Sequence, residues 1–564
     1  MATKNNTTMA EPEQFAGDGG EALPEHRQAT ADSKHSLSDE EKGISEPKAQ
    51  NKDDYPQGLT LFFLTLALGL GMFMMALDNT IVATAIPKIT DEFHGLSDVA
   101  WYGSAYFMTG GGFQPLWGKA YKYFPLKTTY LVAFFIFELG SLICGVAPTS
   151  TALIVGRAIA GIGAAGIGSG SYTLLAFAVE PARRPLYTVI IGAAYGAASV
   201  VAPLIGGVFA DRVTWRWCFY INLPIGAVSA VIILVFFANP KLARPTQATW
   251  REKALQMDPV GVVFVMGAVI AYVLAMQAGG QTDAWNSAKV VGLLVGFVLI
   301  VAAFVGWEIY NGSRAMIESR LMRMNIVWVN AAYSFLVVAS FFTIVYFLPI
   351  YFQSIDNVSP IMSGVRNIPF ILAAIIGSIL VGASIAANGI STPLMAIGAV
   401  LGTVACGLLY TFDIGTPTGN WIGYQILAGV AYGGAFQIPI IHAQGTAKPE
   451  DLSAITGIIM FSQTLGAAMV LSSAQSAFAN RLIQVVTAAA PDIQPGALLA
   501  TGATQIRAAF PPELLHTILL GYMSGIKTAF AILIGVTGLA ILVLPFGDWK
   551  RLDPKALESI GAAA

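Results

Sequence analysis

The sequence predicts an all-α polytopic membrane protein, and two observations carry that class. The 564 residues are 55% hydrophobic and only 11% charged, with a mean hydropathy of +0.65, whereas soluble domains carry about 25% charged residues. From Gly58 onward the chain also runs through fourteen apolar stretches, each near the ~20 residues that a helix needs to cross roughly 30 Å of hydrocarbon. Lipid leaves no backbone group unpaired, and stretches this long without period-two alternation fit helices and not a barrel.

Residues 1–57 come first and differ in kind. They hold six Lys/Arg and twelve Asp/Glu, a net of −6, which leaves a net of +4 over the remaining 507 residues. Such a segment cannot bury enough apolar area to offset ordering entropy, so a disordered cytosolic tail is expected. It lacks the apolar core of a secretory signal, and the first hydrophobic segment is expected to insert as a span. The spans are expected at 58–87, 98–118, 128–147, 151–178, 187–210, 217–238, 259–279, 289–308, 326–350, 363–386, 391–411, 420–442, 453–478 and 522–546.

With a cytosolic amino terminus, sixteen Lys/Arg fall on the cytosolic side and eight on the other, the bias that orients spans. An even number of spans places both termini in the cytosol. The long opposite loop, 479–521, carries Pro491, Pro495, Pro511 and Pro512 among apolar residues and is expected to form short interfacial helices. Asn357-Val-Ser reads as a possible glycosylation acceptor on that side. No basic stripe exists that could track nucleic-acid phosphates. Cys144, Cys218 and Cys406 are far apart in apolar runs and read as small core residues.

Ionisable groups inside spans are the informative ones, because a charge there costs several kcal/mol unless it is paired or lines an aqueous cavity. Asp78, Glu138 and Arg157 qualify. Asp78 is not needed as a cap for Pro87, which lies nine residues later, so a functional role is the better reading. Arg157 has no acid in its own helix; its partner must come from another, with Asp78 the candidate, and binding to backbone carbonyls is the alternative. Glu138 is a coupling candidate whose simplest reading is a hydrogen-bonded or protonated packing residue. Asn79, Thr80 and Gln437 are polar candidates for a cavity wall.

Other patterns carry no chemistry. Gly161-Ile-Gly163-Ala-Ala-Gly166 matches a dinucleotide fingerprint but follows a helical run and no strand, so it reads as a helix-packing face. Gly118-Lys119 is followed by Ala120, with Phe113 where a phosphate loop has its first glycine. No two of the five histidines have metal-ligand spacing on one helix. In the fifth span Gly192, Gly196, Pro203, Gly206 and Gly207 combine small residues with a proline, which suits a close and bent contact with another helix.

Leu77-Asp78-Asn79-Thr80-Ile81-Val82 with Pro87, Gly156-Arg157, Pro203 through Gly207, and Trp215-Arg216-Trp217 through Asn222-Leu-Pro224-Ile-Gly226 together resemble the major facilitator superfamily. More narrowly they resemble its fungal fourteen-helix drug:proton antiporters, in the toxin and multidrug efflux branch. The resemblance covers about 58–548. It implies six-helix bundles at 58–238 and 326–546, the second including loop 479–521, with linker segments and two extra helices in 239–325 and a cytosolic tail at 547–564. It implies substrate binding between the bundles and alternating access. It also makes Asp78 the acid of proton or substrate binding, Arg157 the coupling arginine, and Gly192, Gly196, Pro203, Gly206 and Gly207 an antiporter motif. The loop after the second helix departs from the family pattern: Gly118 and Lys127 are kept, but Lys122 replaces the usual acid, Pro125 the glycine and Leu126 the arginine. The family's charge relay therefore has no assignment from sequence.

The expectation is a non-enzymatic exporter that exchanges a small organic molecule, such as a toxin, secondary metabolite or drug, for protons. It needs no metal or cofactor beyond the proton gradient and no nucleic acid. It is expected to work as a monomer in the bilayer, in the plasma membrane or alternatively the vacuolar one. An importer of a siderophore or other nutrient is the runner-up. A membrane enzyme would need clustered nucleophiles or metal ligands, and a non-transporting sensor a folded soluble domain; neither is present in the sequence.

Overall fold

The computed structural model describes residues 55–93, 99–238, 245–501 and 505–552. Of the expected tails, 1–57 and 547–564, residues 1–54 and 553–564 lie outside the described residues, as do the side chains of Pro87 and Pro203. The described chain is helical, with no strand and one isolated bridge between Gly279 and Asp283.

The first seven helices are α1 (Gly58–Phe93), α2 (Val99–Tyr123), α3 (Leu126–Val146), α4 (Ser150–Ala178), α5 (Arg184–Arg212), α6 (Trp217–Tyr220) and α7 (Asn222–Phe236). They pack on one another through α1 with α4, α5 and α7, and through α4 with α2 and α3. A short α8 (Trp250–Gln256) leads into the antiparallel pair α9 (Pro259–Ala278) and α10 (Ala288–Asn311), followed by α11 (Ser319–Met322). The last group is α12 (Asn325–Ser354), α13 (Pro360–Arg366), α14 (Ile368–Asn388), α15 (Thr392–Tyr410), α16 (Thr418–Thr446), α17 (Leu452–Ala489), α18 (Pro495–Ala500), α19 (Ile506–Ala509) and α20 (Pro512–Val543). Its core is α12, α14, α15, α16, α17 and α20, and the two groups meet through α2 on α17 and α5 on α14.

Thirteen helices among the described residues are long and apolar enough to cross a membrane. The remaining expected span is α2, a 25-residue helix that falls short on composition. Its polar side chains are spent on α4. Thr109 Oγ1 donates to Ala158 O at 2.8 Å, Trp117 Nε1 to Ile162 O at 2.8 Å, Gln114 Nε2 to Ala165 O at 3.1 Å and Tyr121 OH to Gly166 O at 2.7 Å. The small residues of α4 leave those carbonyls reachable. A helix zipped to a neighbour in this way needs less apolar surface than one that faces lipid.

The loop expected at 479–521 is shorter than its span suggested. Both flanking helices run on, α17 to Ala489 and α20 from Pro512, and the short helices α18 and α19 lie between them. The sixth span comprises α6 and α7, with Ile221 between them in the helical region at φ −61° and ψ −25°. The extra pair α9–α10 is tied down at one end. There Asp258, in the left-handed region at φ 44°, caps α9 by accepting from Gly261 N. It also accepts from Trp307 Nε1 and Met316 N, while Glu308 accepts from Met316 N and Ile317 N.

The Gly161–Gly166 run is the packing face expected from sequence. A β-carbon on Gly161 would strike Thr109 and Tyr106 of α2, and one on Gly163 would strike the backbone of Phe137 and Ala133 on α3. Gly163→Ala is therefore expected to destabilise the protein by about 1–3 kcal/mol, seen as a lower melting temperature in detergent. Gly292→Ala on α10, where an added β-carbon meets nothing within 4 Å, should leave it unchanged or raise it slightly.

Candidate functional site

Asp78 and Arg157 meet. Arg157 Nη1 lies 2.5 Å from Asp78 Oδ2, and both side chains are fully buried. The α3–α4 connection sets this up: Thr149 caps α4, and Gly156 lies against Cys144 closely enough that a β-carbon there would collide with it. Arg157 Nε donates to Tyr102 O at 2.9 Å and its guanidinium stands 4.4 Å above the Tyr106 ring. The second carboxylate oxygen accepts from Asn222 Nδ2 at 2.9 Å, and Asn222 Nδ2 also reaches Ser141 Oγ at 3.2 Å. Arg157 Nη2 and Asn222 Oδ1 have no hydrogen-bond partner. A charge-assisted pair with fixed donors on both oxygens is the arrangement that keeps two ions inside an apolar fold.

Glu138 is not joined to this pair by a hydrogen bond. Both its oxygens are buried without a partner, and the carboxyl fills the space left by Gly226 on α7, where a β-carbon would run into Oε1. Thr80 is half-buried, but its hydroxyl donates to Ala76 O at 2.9 Å, so it is engaged with its own helix. Asn79 is half-buried beside Tyr195.

Gln437 bridges the two groups of helices: its Nε2 donates to Tyr172 OH at 3.0 Å, and its Oε1 is buried and unpartnered. Gly192 makes room for it, since a β-carbon there would collide with the Gln437 amide; Gly196 faces Ile375 of α14. Gly207 meets nothing within 4 Å, and Cys218 Sγ approaches Gly206 O at 4.0 Å. The glycine motif of α5 thus splits, with its first half on the opposing group of helices.

Most of the polar contacts between the two groups lie toward the face on which α1 begins, here termed the near face. Gly118 packs on the backbone of α17 at Ser453 and Gly457. Gln114 reaches Met460, and Gln444 Nε2 lies 3.4 Å from Tyr172 O. Lys122, standing where the family pattern has an acid, lies 3.5 Å from Glu318 and 3.7 Å from Asp451. Arg320 holds Asp451 with both nitrogens of its fork, at 2.9 and 2.5 Å. Lys122 thus faces acids from the other group of helices, a pairing that the sequence left without assignment. Lys127 serves elsewhere, donating to Leu234 O at 2.7 Å. On the opposite face Arg216 grips Glu92 at 3.0 and 2.9 Å and Trp215 Nε1 donates to it at 2.7 Å; these bonds hold the Glu92 carboxyl below its usual value. Asn357 is exposed in the left-handed region at φ 55°, and Ser359 of the same tripeptide caps α13.

Sequence reasoning missed Asn222 as a ligand of Asp78, although it stood in a quoted motif. It also missed Tyr172, Asp451, Glu318 and Arg320, which act across long sequence separations and carry no local signal.

Long apolar helices in two opposed groups, with a fully buried Asp–Arg pair inside one of them, are the architecture of a multi-pass membrane protein. A family profile described as Major Facilitator Superfamily matches residues 68–471, and the chain belongs to that superfamily. It is 54% identical to the MFS-type transporter grgE of Penicillium sp over 91% of this chain and 92% of that one. It is 50% identical to the probable efflux pump gsfJ of Penicillium aethiopicum, covering 91% and 92%, and 42% identical to the MFS-type efflux pump MFS1 of Arthroderma benhamiae, covering 90% and 94%. Among solved structures, the proton:xylose symporter XylE matches with a TM-score of 0.59 at 12% identity over 88% of this chain and 99% of that one. The protein is a membrane transporter and not an enzyme.

Asp451→Asn is expected to loosen the near face, raising several-fold the thiol-labelling rate of a Met460→Cys reporter; equal rates would show that this contact does not hold the face. Burial alone would raise the Asp451 carboxyl, but Arg320 and Lys122 hold it below its usual value. A depressed value means that the contact is complete above the free value of about 4 and lost only as pH falls through the lower, folded one. Because the thiolate is the reacting form, the rate is read relative to that of a free thiol at the same pH, and this ratio should be flat through neutral pH and rise only in acid.

Proposed function

We propose that this transporter exports small organic molecules from the cytosol in exchange for protons, by alternating access. The buried Asp78–Arg157 pair with Asn222 on its free oxygen is the observation that carries the reading. Protonation of Asp78 would cancel one member of the pair and leave Arg157 as an uncompensated buried charge, a state costing about 3–5 kcal/mol. Such a cost drives rearrangement of the helices that bear it, α1 and α4, against their partners.

Names of two relatives, the probable efflux pump gsfJ and the MFS-type efflux pump MFS1, support outward transport. In this reading the near face is cytosolic, both termini lie on that side, and the Lys122–Asp451–Arg320 cluster closes the cytosolic gate. The substrate then occupies the space between the groups, near Asn79, Gln437 and the first half of the α5 glycine motif. Asn357 lies on the opposite side as an accessible glycosylation acceptor. The site is that of a monomer in the plasma membrane, driven by the proton gradient without metal or cofactor.

Compounds that accumulate in cells lacking the gene supply the probe. Their efflux from vesicles holding the wild-type protein should fall to background when the pH gradient is collapsed, and Asp78→Asn should fall to the same level with the gradient intact. Efflux unchanged by both treatments would exclude proton antiport through Asp78, and net inward movement would identify an importer.

A further inference from the structure

Three helices place two layers of side chains one turn apart beneath the ion pair. In the first layer are Asp78 of α1, Ser141 of α3 and Asn222 of α7, joined by the Asn222 amide. Residues three or four positions along a helix share its face, and on the same faces, one turn toward the near face, stand Met74, Glu138 and Gly226. The second layer is in contact as well. Glu138 Oε1 fills the position of a Gly226 side chain, and Met74 Sδ is 3.2 Å from that position. One turn is about 5.4 Å of rise.

The two acids differ sharply in their partners. Asp78 has a cation on one oxygen and an amide on the other. Glu138 has nothing on either, with both oxygens out of contact with solvent. A charged carboxylate left so would carry its full desolvation cost. The groups around it offer no relief. From α1 comes the like charge of Asp78, the Arg157 guanidinium of α4 is already committed to Asp78, and α7 presents Gly226, which has no side chain.

We infer that Glu138 is a second proton-binding site, which holds a proton while Asp78 is paired with Arg157, and which receives that proton from Asp78 on its way to the near face. In the transfer an O–H bond breaks on Asp78 as one forms on a Glu138 carboxylate oxygen, with no net change in charge between them. Ser141 is bonded to the Asn222 amide that also holds Asp78, and it stands three residues from Glu138 on α3. This inference rests on the proton-antiport reading for its place in the cycle, but the resting proton on Glu138 stands or falls independently.

Infrared spectra of the full-length protein reconstituted in liposomes test it. The wild type should show a protonated-carboxyl band that is lost in Glu138→Gln, retained in Asp78→Asn and restored in Glu138→Asp. Gly226→Ala, which presses a methyl against Oε1, should shift the same band, so the assignment survives if Glu138→Gln folds poorly. A wild-type spectrum identical to that of Glu138→Gln, or a band lost in Asp78→Asn alone, overturns the inference. Efflux that ignores the pH gradient while the Glu138 band is present would defeat the antiport reading and leave the proton site intact.

Discussion

The constraint on which the rest of this structure depends is the burial of the Asp78–Arg157 pair in a fold whose surroundings are hydrocarbon. Neither ion can be left alone there, and each is fixed by further bonds, Arg157 by Tyr102 O and the Tyr106 ring, Asp78 by Asn222. Those partners come from α2 and α7, so α1, α2, α4 and α7 are all registered by one interaction. The sixth span serves the same need: Asn222 stands at the start of α7, where its amide reaches the carboxylate.

The close approach of α2 and α4 answers a related demand. Polar side chains within a membrane helix must find partners, and α2 carries several. The glycines and alanines of α4 bring its carbonyls within reach, so the two helices bond side chain to backbone along their length. Stiffness in this sheet of contacts gives Arg157 a fixed platform. The contact of α5 with α14 is of another kind: Gly192 yields its space to Gln437, an amide with one oxygen still unpartnered, which is a contact that can be exchanged for another.

The class of fold was legible in the sequence because hydropathy over a span is a local property. So was the identity of the buried acids and the arginine, since each stands alone in an apolar run. Helix ends were less legible: α17 and α20 run past their apolar cores because a helix continues through polar residues once its backbone is bonded. What sequence left open was pairing. Nothing near Lys122 announces Asp451, more than three hundred residues away, and a base standing where the family has an acid gave no hint of the acids that face it.

That reversal has a physical consequence. A carboxylate facing a helix start is favoured by the helix dipole, so an acid at position 122, in the last turn of α2, would be attracted to the start of α17 without any counter-charge there. A lysine in the same place is repelled by that dipole, and it can close the gap only if an acid stands at the helix start. Asp451, at the start of α17, supplies it and is itself favoured by the dipole there. Arg320 and Glu318 then balance the charge from the segment leading into α12, which brings the connection from the α9–α10 pair into the same cluster. Separating the near-face ends of the two groups would therefore break contacts to both α17 and this connection, which carries the chain from the two extra helices into α12.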